Sequence, residues 1–217
     1  MKFPEQMSKE LAELVGIHFG DGSLYKDKKY NYNLTYTGNL SKDGKFIDYV
    51  NSLFDMLFQV KLHKLVSKSK NSIGLRIRSK NLFYFFRDTL KVPAGKKEDL
   101  LIPYWIKSDK IFLTAFLRGL FDTDGCVVLQ KFGKYKYILA KISTQHRDFA
   151  YDISKSLSIL NIPSFVITKS NKVNNKIFEG YDVVIRNKNV TQFFKIVGSK
   201  NPRNIQSFHN KSGDAEI

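Results

Sequence analysis

The stretch Leu14-Val-Gly-Ile-His-Phe-Gly-Asp21-Gly22 returns in the second half of the chain as Leu117-Arg-Gly-Leu-Phe-Asp-Thr-Asp124-Gly125. The two copies share Leu, Gly, Asp and Gly at the same offsets. A second echo, from Ile77-Arg-Ser-Lys80-Asn81 to Ile185-Arg-Asn-Lys188-Asn189, follows at nearly the same spacing. Either echo alone is typical of an amphipathic helix, but two in the same order indicate an internal duplication.

The break between the copies lies around Pro93, Gly95 and Pro103, where the hydrophobic periodicity stops. We therefore expect two domains: residues 1–105 as the first half with its linker, and residues 106–217 as the second half.

The same pattern of hydrophobicity runs through both halves. Apolar residues recur at helical spacing in 8–20, 43–58, 80–90, 109–122, 146–160 and 188–197, and they alternate with polar residues in 31–38, 72–78 and 135–145. This order predicts an α+β fold of two pseudo-symmetric αββαββα halves, each an antiparallel sheet backed by helices. Gly22 and Gly125, which follow the first helix of each half, are expected in left-handed C-terminal positions.

The charge balance points to a polyanionic partner. Lys and Arg total 36 against 20 Asp and Glu, which gives a formal charge of +16 spread along the chain. Release of counterions from nucleic acid would drive binding to such a surface. No stretch of 18 uncharged apolar residues predicts a membrane span, and the N-terminus lacks the apolar core of a signal peptide. Cys126 is the only cysteine, which favours an intracellular location, cytoplasmic or organellar.

The repeated motif places small residues four apart on each helix, at Gly16 and Gly20 and again at Gly119 and Thr123. Two such helices can pack closer than the usual 8–10 Å. Asp21 and Asp124 would then converge at the C-terminal ends and repel each other unless a divalent cation lay between them. Hard carboxylate ligands favour Mg²⁺. An EF-hand calcium loop starting at Asp122 is excluded, because its twelfth position is Gly133 rather than Glu.

The two motifs resemble those of LAGLIDADG homing endonucleases of the monomeric, two-motif type, and the resemblance extends from about residue 8 to about residue 205. It implies an intron-encoded hydrolase that makes a double-strand break at a long site in double-stranded DNA, with Mg²⁺ or another divalent cation such as Mn²⁺. Asp21 and Asp124 match the family's metal-binding acids, and the carbonyls of Gly20 and Thr123 would complete the coordination. The sixth motif position differs, with Phe19 in one copy and Asp122 in the other. The resemblance implies that this departure matters little for catalysis.

The resemblance also implies basic and polar residues around the metals. Lys97 is the candidate lysine of the first half, and Gln145 is the candidate polar residue of the second. Lys200 is the candidate second lysine, with Asn204 competing for the position. Gly38 or Asn39 would stand opposite Gln145, so the first half is less well equipped and one strand could be cut more slowly.

The polar faces of the sheets are predicted to form a DNA-binding saddle, because the major groove admits β-ribbons and presents a distinct pattern for each base pair. Charged and polar residues on these faces and at the hairpin turns are the candidate DNA contacts: Lys26, Lys28, Lys29, Asn31, Asn33, Thr35, Arg76, Arg78, Lys134, Lys136, Lys141 and Arg186.

Other functions remain open. A LAGLIDADG-derived RNA maturase acting on intron RNA, or a DNA-binding regulator that does not cut, would use the same fold. A nuclease domain within an intein is less favoured, because the chain begins with Met, and a free-standing protein is expected. The four histidines have no metal-binding spacing, and His18, within an apolar helix, is expected to be a packed core residue.

Overall fold

The computed structural model describes residues 1–133, 135–173 and 176–213. The first half contains α1 (Lys9–Asp21), β1 (Gly22–Lys26), β2 (Tyr32–Asn39), α2 (Leu40–Phe58), β3 (His63–Ser67), β4 (Ser72–Arg78) and α3 (Lys80–Tyr84). A short α4 (Tyr104–Lys107) follows the linker. The second half contains α5 (Lys110–Asp124), β5 (Gly125–Phe132), β6 (Tyr135–Thr144), α6 (Arg147–Ile159), β7 (Phe165–Val173), β8 (Lys176–Arg186), α7 (Lys188–Ile196) and α8 (Pro202–Ser212).

Each half forms one four-stranded antiparallel sheet. The strand orders are β1-β2-β4-β3 and β5-β6-β8-β7, which are the same arrangement twice. The register also repeats, because Gly22 pairs with Tyr36 in the first sheet and Gly125 pairs with Ile142 in the second. The predicted α+β fold of two αββαββα halves is thus confirmed.

Three helical features differ from the sequence prediction. The segment predicted as one helix over 80–90 is α3 followed by a π-helical turn, Phe85–Thr89. The helix α4 forms within the linker. The helix α8 was not predicted, although Asn201-Pro202 is a good start signal: the Asn201 side chain accepts a hydrogen bond from the Arg203 N–H, and Pro202 occupies the first turn.

The hydrophobic core is rich in aromatic rings on both sides of a central helix pair, α1 and α5. In the first half, Phe54, Phe58 and Phe86 are fully buried, and in the second half Phe121 packs edge-on against Phe193 at 4.8 Å. These aromatic clusters fix each sheet against its helices, so that the opposite sheet face stays open. Within the described residues, no helix combines the length and apolarity needed to cross a membrane.

Candidate functional site

The helices α1 and α5 lie in backbone contact along their glycine-bearing sides. A β-carbon at Gly16 would lie 2.1 Å from the Phe116 carbonyl oxygen, and one at Gly119 would lie 2.2 Å from the Glu13 carbonyl oxygen. A side chain at either position would therefore overlap the opposite backbone. The expected close packing is confirmed, and it brings the C-terminal ends of the two helices together.

The glycines that end these helices do not have left-handed backbones, contrary to the sequence expectation. Gly22 has φ −83° and ψ 151°, and Gly125 has φ −94° and ψ 155°, because a β-strand begins directly after each helix. Glycine is required there for space. A β-carbon at Gly22 would lie 2.4 Å from His18 Nδ1, and one at Gly125 would lie 2.3 Å from the Phe121 ring.

The carboxylates of Asp21 and Asp124 belong to one electrostatic site. A β-carbon added to Gly20 would lie 3.2 Å from Asp124 Oδ2, which places that oxygen against the last turn of the opposite helix. Burial and then the charge of Asp43 raise the pKa of Asp21 to about 6. Burial and then the charge of Asp21 raise the pKa of Asp124 to about 7. Burial and a neighbouring carboxylate thus make the ionised form of each acid costly, and nearby positive charges offset this cost only in part.

Lys97, the predicted lysine of the first half, caps the C-terminal end of α1. Its Nζ donates hydrogen bonds to the carbonyl oxygens of His18 at 3.0 Å, Phe19 at 2.7 Å and Gly20 at 3.0 Å. Burial lowers the pKa of Lys97, while the charges of Asp124 and Asp21 act in the opposite direction. The ammonium group therefore stabilises the helix end and lowers the pKa of both acids.

The corresponding cap of α5 consists of two asparagines. Asn201 Nδ2 donates to the Asp122 carbonyl oxygen at 2.9 Å, and Asn204 Nδ2 donates to the Phe121 carbonyl oxygen at 3.0 Å. Lys200 supplies only its backbone N–H to Asp122, and its side chain is exposed. Asn201 and Asn204 thus take the place in the second half that Lys97 holds in the first. The Lys200 ammonium does not, because Lys200 lies before the start of α8 and its side chain is exposed.

Asp122, at the sixth motif position, has a structural role that the sequence did not indicate. Its side chain is fully buried and accepts hydrogen bonds from Ser199 Oγ and from the Lys200 N–H at 2.8 Å. Burial raises its pKa to about 6, although these hydrogen bonds act in the opposite direction. Asp122 thereby fixes the segment that leads into α8.

Arg203 and Asp43 are further charged residues of the site that sequence analysis missed. Arg203 Nη1 lies 3.3 Å from Asp43 Oδ1, which joins α8 to the first half. The Arg203 charge lowers the pKa of Asp21, whereas the Asp43 charge raises it. The start signal Asn201-Pro202 predicts a helix that contains Arg203. No local sequence pattern links Arg203 to Asp43.

A cavity of about 430 Å³ opens beside Asp124 and contains the predicted Gln145. Its lining also includes Gly20, Lys97 and the pair Asp182 and Lys169. On the first-half side, Asn39 holds the register position of Gln145, but its side-chain oxygen caps α2 by accepting from Ser41 and Lys42 N–H groups. The two halves therefore differ at this position, as expected.

His18 is a core residue, as predicted. Its ring is fully buried, its Nδ1 lies 3.1 Å from the Tyr36 hydroxyl, and desolvation lowers its pKa to about 3. It is neutral at physiological pH. Within the part of the chain that the structure describes, no cluster of three or more His, Cys, Asp or Glu side chains could hold a metal. A metal at Asp21 and Asp124 would therefore need backbone carbonyls and water as further ligands.

The open face of the first sheet carries several predicted DNA contacts. The antiparallel register aligns Thr35 with Arg76, and Arg78 lies on the same face next to Asn33. Asn33 itself is only 2% exposed and donates to the Asn31 carbonyl oxygen, so it does not present its amide to solvent. Lys26, Lys28 and Lys29 are exposed around the following turn, where Asp27 accepts hydrogen bonds from Asn31.

The open face of the second sheet is more mixed in character. Arg186 is exposed and covers the Phe165 ring at 4.1 Å, and Lys141 lies in the same sheet beside the cavity. Lys136 is half-buried in β6. Lys134, another predicted contact, lies outside the described residues. Exposed or half-buried basic residues thus line the open faces of both sheets.

Comparison with known proteins agrees with this architecture. Residues 112–198 match the LAGLIDADG-like domain. An uncharacterized protein of Methanocaldococcus jannaschii is 26% identical over 182 residues, which are 80% of this chain and 62% of that protein. A DNA polymerase of Thermococcus litoralis is 30% identical over 192 residues, which are 86% of this chain and 10% of the polymerase. The chain spans less than two thirds of either relative.

Solved structures share the fold at low identity. The homing endonuclease I-DmoI in complex with DNA and Mn aligns with a TM-score of 0.61 and 21% identity, covering 88% of this chain and 96% of that one. I-LtrWI, a LAGLIDADG homing endonuclease bound to target DNA, aligns with a TM-score of 0.59 and 13% identity, over 95% and 91%. The N-terminal LAGLIDADG domain of WhiA aligns with a TM-score of 0.53 and 16% identity, over 91% and 87%.

Proposed function

We propose, on the premise that this chain has the LAGLIDADG fold with a LAGLIDADG-like domain in its second half, that it is a site-specific DNA endonuclease. It would make a double-strand break at a long recognition site by metal-dependent phosphodiester hydrolysis, as a monomer. The observation that carries this proposal is the convergence of Asp21 and Asp124 at the ends of two helices packed through glycine.

The residues at this point fit a divalent cation. Two carboxylates with raised pKa values share one site, and the nearest ammonium group, Lys97, is engaged by three carbonyl oxygens. The excess negative charge favours a hard cation, which Asp21, Asp124 and the carbonyls of Gly20 and Thr123 would hold. A bound Mg²⁺ or Mn²⁺ would supply Lewis acidity toward water and the phosphodiester.

The chain's own residues would orient the reacting groups. Lys97 keeps the end of α1 in place and favours the ionised forms of Asp21 and Asp124. Gln145, on the rim of the Asp124 cavity, has an exposed amide that can hydrogen-bond water or a phosphate oxygen. Arg203 gives the Asp21 side a second positive charge.

DNA binding is supported by the two open sheet faces and by the net charge. Arg76 and Arg78 in one sheet and Lys141 and Arg186 in the other can reach phosphates or guanine edges, for which Arg and Lys are suited. The formal charge of +16 predicts steeply salt-dependent binding to double-stranded DNA.

The test begins with selection of cleaved sequences from a randomised duplex library with Mg²⁺ or Mn²⁺. On the selected site, the wild type should cut both strands, whereas Asp21→Asn and Asp124→Asn should each lose about a hundredfold or more in rate. Asp55→Asn is the matched control, because this carboxylate is half exposed and pairs with Lys61. Binding without metal-dependent cutting of any library member would contradict the nuclease.

A second candidate is a DNA-binding protein that does not cut. The fold shared with WhiA, which carries a LAGLIDADG domain, makes this candidate worth testing. The two acids favour the nuclease, because a binding protein would gain nothing from a pair of repelling carboxylates. Tight, sequence-selective binding that is the same with and without Mg²⁺, together with intact DNA, would identify this second function. No observation favours an RNA maturase over these two candidates.

A further inference from the structure

A buried carboxylate lies in the open face of the second sheet, where polar contacts to DNA are expected. Asp182 on β8 is only 1% exposed. Its Oδ1 accepts a hydrogen bond from Ser143 Oγ at 2.8 Å, and its Oδ2 forms ion pairs with Lys169 and, at 3.8 Å, with Lys141. Three strands thus direct charged side chains to one point.

This cluster of Lys141, Asp182 and Lys169 carries one net positive charge. Lys169 is 46% exposed and Lys141 is 23% exposed, so both ammonium groups can be reached from the open face. Free lysine side chains are flexible, and an ion pair to a fixed carboxylate restricts them. Because Asp182 is held by β8 and by Ser143, it keeps the two ammonium groups in place.

The cluster adjoins the Asp124 end of the site. Asp182, Lys169 and Ser143 line the same cavity as Asp124 and Gln145. A phosphate entering this cavity would meet the Lys169 ammonium group on one wall and Asp124 on another, with Lys141 behind Asp182 at 3.8 Å. The cluster is therefore close enough to bind the DNA backbone beside the point of cleavage.

Residues 1–105, all of which the structure describes, contain no such cluster at the equivalent sheet positions. The equivalent register pairs are Thr37 with Gly74 in the first sheet and Ser143 with Asp182 in the second. Counted from the same pairs, Thr35 takes the place of Lys141 and Ser67 takes the place of Lys169. Neutral residues thus stand wherever the second half has a charge.

We propose that the Lys141–Asp182–Lys169 cluster is a phosphate-binding subsite for one DNA strand only, the strand whose scissile phosphate lies at the Asp124 cavity. The proposal rests on the proposed function for its cleavage consequence. Asp182 is a positioning residue that acts through the two lysines. The subsite gives that strand a pair of fixed ammonium groups that the first sheet does not supply to the other strand, so the two strands are cut at different rates.

The experiment uses the full chain and a selected target duplex labelled on each strand in turn. Lys169→Met should slow nicking of one strand by about tenfold at saturating protein, whereas nicking of the other strand should change less than about twofold. Lys64→Met is the matched control, because Lys64 pairs with Asp48 of α2 and lies on the helix side of the first sheet. It should change neither rate.

Asp182→Asn tests positioning. It should slow the same strand without weakening DNA binding, because it removes a negative charge and leaves both lysines. In a Lys141→Met, Lys169→Met background, Asp182→Asn should have no further effect on that strand. A thermal unfolding curve for each variant separates these effects from loss of folding.

Ethylation interference in Ca²⁺ gives a readout that does not need cleavage. Wild-type binding should be blocked by ethylation of one phosphate near the centre of one strand, and this block should disappear in Lys169→Met. If the protein binds DNA but does not cut it, the proposed function is contradicted. The interference pattern can still support the subsite in that case. Equal loss on both strands, or an unchanged interference pattern, would overturn the subsite even if cutting is normal.

Discussion

Gly16 of α1 faces the Phe116 carbonyl of α5 so closely that a β-carbon would lie 2.1 Å from that oxygen. Gly16→Ala must therefore push the central helices apart. We expect a loss of about 1–3 kcal/mol in the free energy of unfolding, measured by urea denaturation. Gly44→Ala is the control, because a β-carbon there meets nothing within 4 Å. This change within α2 should instead stabilise by about 0.5–1 kcal/mol. Equal effects of both changes would contradict the close contact.

Asp124 should make the metal-free protein less stable as the pH rises. Its pKa is about 7 in the folded state against 3.8 for a free carboxyl group. Between these values the folded protein holds a proton that the unfolded chain has lost, so stability falls as the pH rises through this range. In EDTA, Asp124→Asn should match the wild type at pH 4 and exceed it by about 1–3 kcal/mol at pH 8. A constant difference across the range would refute this.

His18 has the opposite effect on the pH dependence of stability. This effect cancels when the wild type is compared with Asp124→Asn. The pKa of His18 is about 3 in the folded state against 6.5 when free, so stability falls as the pH drops below 6.5. Both proteins share this loss. Addition of Mg²⁺ or Mn²⁺ at pH 8 should raise the melting temperature of the wild type more than that of Asp124→Asn, because the cation would bind both carboxylates of the folded wild type and only one of the variant.

Lys97→Met should slow cleavage of both strands, because Lys97 lowers the pKa of both Asp21 and Asp124. The acid limb of the pH–rate profile should move to higher pH, since each acid then ionises less readily. The carbonyls of α1 would also lose their donor, at a cost of about 1–3 kcal/mol. Lys96→Met is the control, because Lys96 is exposed and pairs with Glu98. If the acid limb of the pH–rate profile does not move in Lys97→Met, Lys97 has only a structural role.

Asn204→Ala should destabilise the end of α5. The buried amide donates to the Phe121 carbonyl oxygen, and its removal leaves that oxygen without this donor, at a cost of about 1–3 kcal/mol. Asn210→Ala, at an exposed position in the same helix α8, should be neutral or slightly stabilising. Equal melting temperatures for the two variants would show that this cap contributes nothing measurable.

The sequence predicted what is local or repeated. The motif around Asp21 and Asp124 gave the central helix pair, and the position of Lys97 followed from the family resemblance. The Arg203–Asp43 pair and the Asp182 cluster could not be predicted, because each depends on the packing of distant segments. The family resemblance makes Lys200 the candidate second lysine, with Asn204 competing for the position, whereas the start of α8 at Pro202 places asparagines at the end of α5.

The domain boundary near residue 105 remains a prediction, and the linker shows why it is hard to place. The Gly95 N–H donates to the Leu24 carbonyl oxygen in the first half, whereas the Ile102 N–H donates to Asp152 in the second. The linker is thus attached to both halves.

The two sides of the central helix pair have diverged into different chemistry. Phe19 of the first half packs against Phe149, the first buried residue of α6, with ring centroids 5.7 Å apart. Across the pseudo-twofold axis, Asp122 takes the place of Phe19, and the Asn201 amide donates to the Asp122 main-chain carbonyl oxygen and to the carboxylate of Asp43, the first buried residue of α2. A homodimer of first halves would oppose Phe19 to Asp43, and a homodimer of second halves would oppose Asp122 to Phe149. Each would bring a carboxylate against a phenyl ring, so at this contact each half complements the other better than a copy of itself.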